Sequence, residues 1–223
     1  MNHTLVIRIL RACAALAAVS PLLFAANACA SPITMEVYAI DTNRGGYVWF
    51  GEDGVDTQGY AGVIKIRLDG IPEDGLCVDL FHNITYETVS VNAGSPDVIA
   101  NGRRVAWLYA NEIRVINTAV LGEALQLAIW DIVHDNGDGL NAGRVRKGSA
   151  AHPTPPAVIT AVNNFLSVSL KKESLEPRIY TSVNGPTDKQ QLISDSVPEP
   201  LTYVLLGSGL VAIAMWKRQG TPL

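Results

Sequence analysis

Cysteine is scarce in this chain of 223 residues: there are 3, and two of them, Cys13 and Cys29, lie in the first thirty positions. If that segment is removed on export, Cys77 in DGLCVDL is the only thiol left, and an internal disulfide is excluded. Clustered positive charge is missing too. The formal net charge is −4 and no basic stripe runs along the chain, which argues against nucleic acid as a partner. No internal repeat is visible, so repeat architectures are excluded. The first thirty residues contain no acidic side chain at all.

That acid-free segment reads MNHTLVIRILRACAALAAVSPLLFAANACASP. Arg8 and Arg11 form a basic start, residues 12–26 are almost wholly apolar, and the small residues Ala28 and Ala30 precede Ser31. This order is that of a secretory signal peptide, residues 1–30, cut after Ala30. Cleavage before Cys29, with lipidation of that cysteine, is a second reading. It is disfavoured because Ala26 stands where a lipoprotein signal prefers leucine. Removal of the signal leaves 15 basic against 21 acidic side chains, a net charge of −6.

The other end carries an uncharged apolar stretch, residues 201–216, followed at once by Lys217 and Arg218. As a helix it spans about 24 Å, a little less than the ~30 Å hydrocarbon core of a bilayer. Tyr203 and Trp216 suit the two interfaces, and the basic pair suits the cytoplasmic side. The expectation is a short membrane anchor over 201–216. The run VPEP, with Pro198, Glu199 and Pro200, then the apolar helix and WKR, resembles the PEP-CTERM sorting signal of Gram-negative bacteria. The tripartite pattern carries the resemblance over roughly residues 197–218. It implies processing by an exosortase, removal of the tail, and delivery to the cell surface or extracellular matrix. The expected organisation is therefore a signal peptide (1–30), one domain (31–196) and a sorting signal (197–223).

Within the domain, ITMEVYAID (33–41), YVWF (47–50), GYAGVIKIRLDG (59–70) and LCVDLFHNITYETVSVN (76–92) read as strands separated by turn residues. Helical spacing follows in GRRVAWLYANEIRVIN (102–117), GEALQLAIWDIVHDNG (122–137) and PPAVITAVNNFLSVSL (155–170). RIYTSV (178–183) and QQLISDSV (190–197) close as strands. Strands, then helices, then strands predict an α+β fold: a β-sandwich or barrel core with a helical insertion.

Two residues stand out chemically. Gln126 lies on or beside the apolar stripe of the 122–137 helix, three and four residues before Ile129 and Trp130. An unpartnered buried amide costs roughly 1–3 kcal/mol, so a specific partner is expected for it. Cys77 sits in a strand, on the face of Gly75 and Asp79 and opposite Leu76 and Val78. Composition alone makes it a small buried hydrophobe.

GLCVDL followed by LQLAIWDI resembles the thioester, or TQxA, domain of bacterial surface proteins. RVAWLYANE (104–112) and the Gly/Asp-rich HDNGDGLNAG resemble it as well. The resemblance implies that Cys77 condenses with Gln126, expelling ammonia and leaving an internal thioester. Ala128 takes the small position after the glutamine and Trp130 the aromatic one, while Leu125 replaces the usual threonine. Leu80, Ala128, Trp130 and His134 are the expected environment of the bond. No cofactor and no turnover are implied. An amine-bearing surface or matrix component would attack the thioester, form an amide with Gln126 and free Cys77, in a single-use attachment.

A cysteine hydrolase or transglutaminase needs a base, and export leaves His82, His134 and His152. Against it, Cys77 lies inside a strand instead of at a helix start, where the dipole favours a thiolate. His134 reads as a helix-end residue whose cation suits the C-terminal dipole. Asp135, Asn136 and Asp138 resemble a fragment of a calcium loop, without the full pattern. NIT (83–85) is a formal glycosylation sequon, read as strand. A structural alternative remains: a matrix component with Cys77 and Gln126 packed but unlinked.

Overall fold

The computed structural model describes residues 32–80, 82–183, 191–195 and 209. The signal segment with Cys13 and Cys29, the motif residues Pro198, Glu199 and Pro200, and the expected anchor apart from Gly209 lie outside the described residues. Among the described residues no helix is long and apolar enough to cross a membrane.

The strands β1 (Ile33–Glu52), β2 (Val55–Leu68), β3 (Ile71–Cys77) and β4 (Thr88–Gly94) come first. Helices α1 (Gly102–Glu112) and α2 (Ala119–Asp135) follow, then β5 (Val145–Lys147) and α3 (Pro156–Val168). The short strands β6 (Arg178–Ser182) and β7 (Leu192–Ser194) complete the α+β architecture expected from the element order. All pairings are antiparallel. They run β1–β2–β3–β7–β6–β4 and return to β1, with β5 added at the far end of β1.

Several boundaries differ from expectation. The runs 33–41 and 47–50 belong to one strand, β1, which absorbs the residues between them in a register shift at Ile40/Gly45, with a second shift at Val37/Ala39 inside the first run. The chain reverses instead at Asp53–Gly54 and Asp69–Gly70, two-residue turns with positive φ at both positions, the geometry that suits strand twist. The expected strand 76–92 is broken. β3 starts earlier, at Ile71, and stops at Cys77; β4 begins at Thr88. After Val78, whose N–H donates to the Gln191 carbonyl, Asp79 turns its carboxylate to His82 Nδ1 and the ladder ends. The sequon Asn83–Thr85 therefore lies in an irregular loop, not a strand. The helix expected to 117 ends at Glu112, and α2 starts three residues early because the Thr118 hydroxyl accepts from Leu121 N–H as an N-cap.

Helix α2 is the pivot of the packing. Nine consecutive residues, Ala124 to Ile132, are buried, because β1, β2 and β3 flank the helix on one side and α1 and α3 on the other. A helix covered all round carries little amphipathic signal. Arg104 ties this layer together: its guanidinium donates to the carbonyls of Asn136 (3.0 Å) and Leu166 (2.9 Å), at the C-terminal ends of α2 and α3.

Candidate functional site

The β2–β3 ladder ends at the pair Ile64↔Gly75. Continued by two residues it would set Gly62 opposite Cys77. Gly62 instead adopts φ +144° and pairs with Gly45 of β1. On its other side β3 still pairs with β7, Cys77 opposite Leu192. The N–H and C=O of Cys77 on the β2 side thus lose their strand partner inside the core, where unmet backbone groups are costly.

Gln126 fills the vacancy. The Cys77 N–H donates to Gln126 Oε1 at 3.0 Å, and Gln126 Nε2 donates to the Cys77 carbonyl at 2.6 Å. One primary amide replaces the missing peptide unit with matched donor and acceptor. Both residues are 1% exposed. The specific partner expected for Gln126 is therefore the backbone of Cys77.

The glutamine reaches this point because α2 packs backbone against backbone. Gly122, one turn before Gln126, faces the Arg44 carbonyl so closely that a Cβ there would lie 1.8 Å from its oxygen. Arg44 is held by Asp41 (2.9 Å) and Asp74 (2.6 Å), and Lys65 also binds Asp74 at 2.7 Å. This charged clamp holds the β1 irregularity that receives the helix. Sequence reasoning missed Gly122, Arg44 and Gly62. A glycine one turn before a buried glutamine is the one local signal that could have flagged the approach.

Burial, with the Asp79 carboxylate in second place, pushes the Cys77 thiol well above its ordinary value. A hydrolase nucleophile needs the opposite shift. Burial and then Asp41 raise the Tyr60 phenol, on which Cys77 also acts. The Tyr60 hydroxyl lies 2.9 Å and 3.0 Å from the carbonyl oxygens of Asp41 and Val63.

The other expected site residues are distributed around this pair. Ala128 is fully buried, and Trp130 is buried with its ring 5.3 Å from that of Phe50. Leu80, half-buried, lies in the loop after β3. His134 sits in the last turn of α2. Burial, then Arg144, lowers its pKa, with Asp79 among the carboxylates opposing the shift. Burial and the Arg144 charge thus work against the expected helix-end cation. The Asp135 carboxylate accepts from the N–H groups of Arg144 (2.9 Å) and Val145 (2.7 Å), a turn-closing role. Among the described residues no group of three or more His, Cys, Asp or Glu side chains is arranged to hold a metal.

Comparison of the chain with protein-family models, curated proteins and solved structures returned no match.

Proposed function

We infer that this is an exported surface protein whose single domain, a β-barrel core with a helical insertion, forms an internal thioester between Cys77 and Gln126. The observation that carries the reading is the amide of Gln126 seated on the backbone of Cys77 in a water-excluding core. In such a reaction Cys77 Sγ attacks the Gln126 carboxamide carbon and the C–N bond breaks. The thiol proton leaves with the nitrogen as ammonia. The Cys77 N–H already donates to the oxygen that gains charge during attack, the role of an oxyanion donor. The Cys77 carbonyl orients the departing nitrogen. Proximity replaces thiolate character as the driving factor, and the covered core limits hydrolysis of the product. An amine on a surface or matrix partner would then attack the thioester carbonyl, break the C–S bond and return the proton to Cys77. The sorting-signal resemblance adds exosortase processing and a transient membrane stage through 201–216.

Intact mass of the exported chain tests this, compared with its Cys77→Ala variant, with and without methylamine. The expected wild type is lighter than its sequence by one ammonia, the variant has full mass, and methylamine adds at Gln126. A wild type of full mass with a free thiol defeats the reading. One observation favours the alternative of a passive matrix component: the Gln126 amide is already matched at both ends, which satisfies the core without a covalent bond.

A further inference from the structure

A second feature lies on the outer side of Trp130. There an open cleft of about 440 Å³ runs between the β1–β2 hairpin and the segment that carries Leu80 and residues 82–86. Five aromatic rings line it: Tyr47, Phe50, Tyr60, Tyr86 and Trp130. Tyr47 is 68% and Tyr86 62% exposed, although they come from different segments and meet at this cleft. Tyr47 stands edge-on to Tyr60 with centroids 5.9 Å apart. Between the rings sit Glu52, Thr57, Gln58 and Asn83. The Trp130 indole N–H has no acceptor among the described residues.

The lining narrows the ligand chemistry. Among the described residues that form it there is no Lys or Arg, and its one histidine, His82, already holds the Asp79 carboxylate through Nδ1, so phosphate, sulfate and polyanions find no fixed counter-charge. Glu52, Thr57, Gln58, His82 and Asn83, with the tyrosine hydroxyls, make it unsuited to a hydrocarbon chain. A peptide adding as a strand has one edge open to it, that of β2 before Ile64, which among the described residues pairs with β1 alone; such addition is carried by main-chain hydrogen bonds and makes no use of the exposed Tyr47 and Tyr86 rings. The lining favours recognition by ring faces and short polar groups together. That combination matches a sugar ring, which offers an apolar C–H face and a polar hydroxyl edge.

We propose that this cleft binds a glycan chain of hexopyranose units without anionic groups. Exposed Tyr47 and Tyr86 stack on successive rings, while Gln58, Asn83, Thr57 and Glu52 take the hydroxyl or amino substituents. Cys77 does not line the cleft, so the proposal does not rest on the thioester.

Titration calorimetry on the full chain in mild detergent tests this with cellotetraose, chitotetraose, maltotetraose and a glucosamine tetramer, alongside a proline-rich decapeptide. At least one tetrasaccharide is expected to bind saturably and the peptide not at all. Tyr47→Ala and Tyr86→Ala should each weaken saccharide binding about three- to tenfold with an unchanged thermal midpoint. Leu170→Ala, elsewhere on the surface, and Cys77→Ala should bind as wild type. Absence of binding by all four saccharides overturns the proposal. So does peptide binding in their place, or tyrosine variants that bind like wild type.

Discussion

Helix α2 buries two polar side chains in adjoining turns, Gln126 and Asp131, and treats them differently. Gln126 is matched donor to acceptor and acceptor to donor on one peptide unit. Asp131 is fully buried, accepts from Gly139 N–H at 3.1 Å through Oδ2, and leaves Oδ1 without a partner. Burial first, then Asp138 and Asp135, drive its pKa up to about 6. An amide has the same hydrogen-bonding valence as the backbone it replaces, whereas an ionised carboxylate only accepts and carries a charge into low dielectric. The Gln126 seam is therefore a stable element of the core at any neutral pH, and the Asp131 turn is a titrating one.

The largest expected effect comes from breaking the matched side of this comparison. Gln126→Leu leaves the N–H and C=O of Cys77 both unmet and should cost about 4 kcal/mol, read from the urea midpoint. Gly122→Ala keeps the amide but pushes α2 off the Arg44 carbonyl. A loss of about 3 kcal/mol is expected. Amide exchange at Cys77 should accelerate as well; protection equal to wild type would show that the helix position does not set the seam.

The titrating side responds with the opposite sign. The folded-state pKa of Asp131 is raised above its ordinary 3.8. Its protonated form is thus favoured by folding, and stability falls as pH climbs from about 4 through about 6. The fall is on the order of 2 kcal/mol. Asp131→Asn should remove this segment of the stability–pH curve and be the more stable protein at pH 7. A variant whose curve parallels wild type between those limits would refute the assignment. The smallest effect is that of Cys77→Ala measured against chain in which the thioester has not formed: it removes one buried sulfur and keeps both backbone bonds to Gln126. About 1 kcal/mol is expected from thermal melts. A much larger loss, paired with loss of the ammonia deficit, would mean that a covalent link had been removed.

Part of this site was legible beforehand. Gln126 on an apolar helix face had to have a partner, and Cys77 was the one cysteine outside the first thirty residues. What could not be read was that the amide meets the cysteine's backbone, because that vacancy arises where β2 departs at Gly62, far away in sequence. Likewise the loop 78–87 looked like strand. Its alternating residues fit a sheet, but β2 no longer offers an edge there and Asp79 engages His82 instead.

By itself the sequence determined the α+β order, the turn residues, and the apolar segments that become core, since these depend on local propensity and on transfer from water. Only the tertiary structure decided which strand lost its neighbour, how closely α2 could approach, and which polar groups were left matched or unmatched. Those outcomes depend on pairing between segments remote in sequence. Their energies arise from fitting donors, acceptors and volume in one shared interior, and no single segment contains that information.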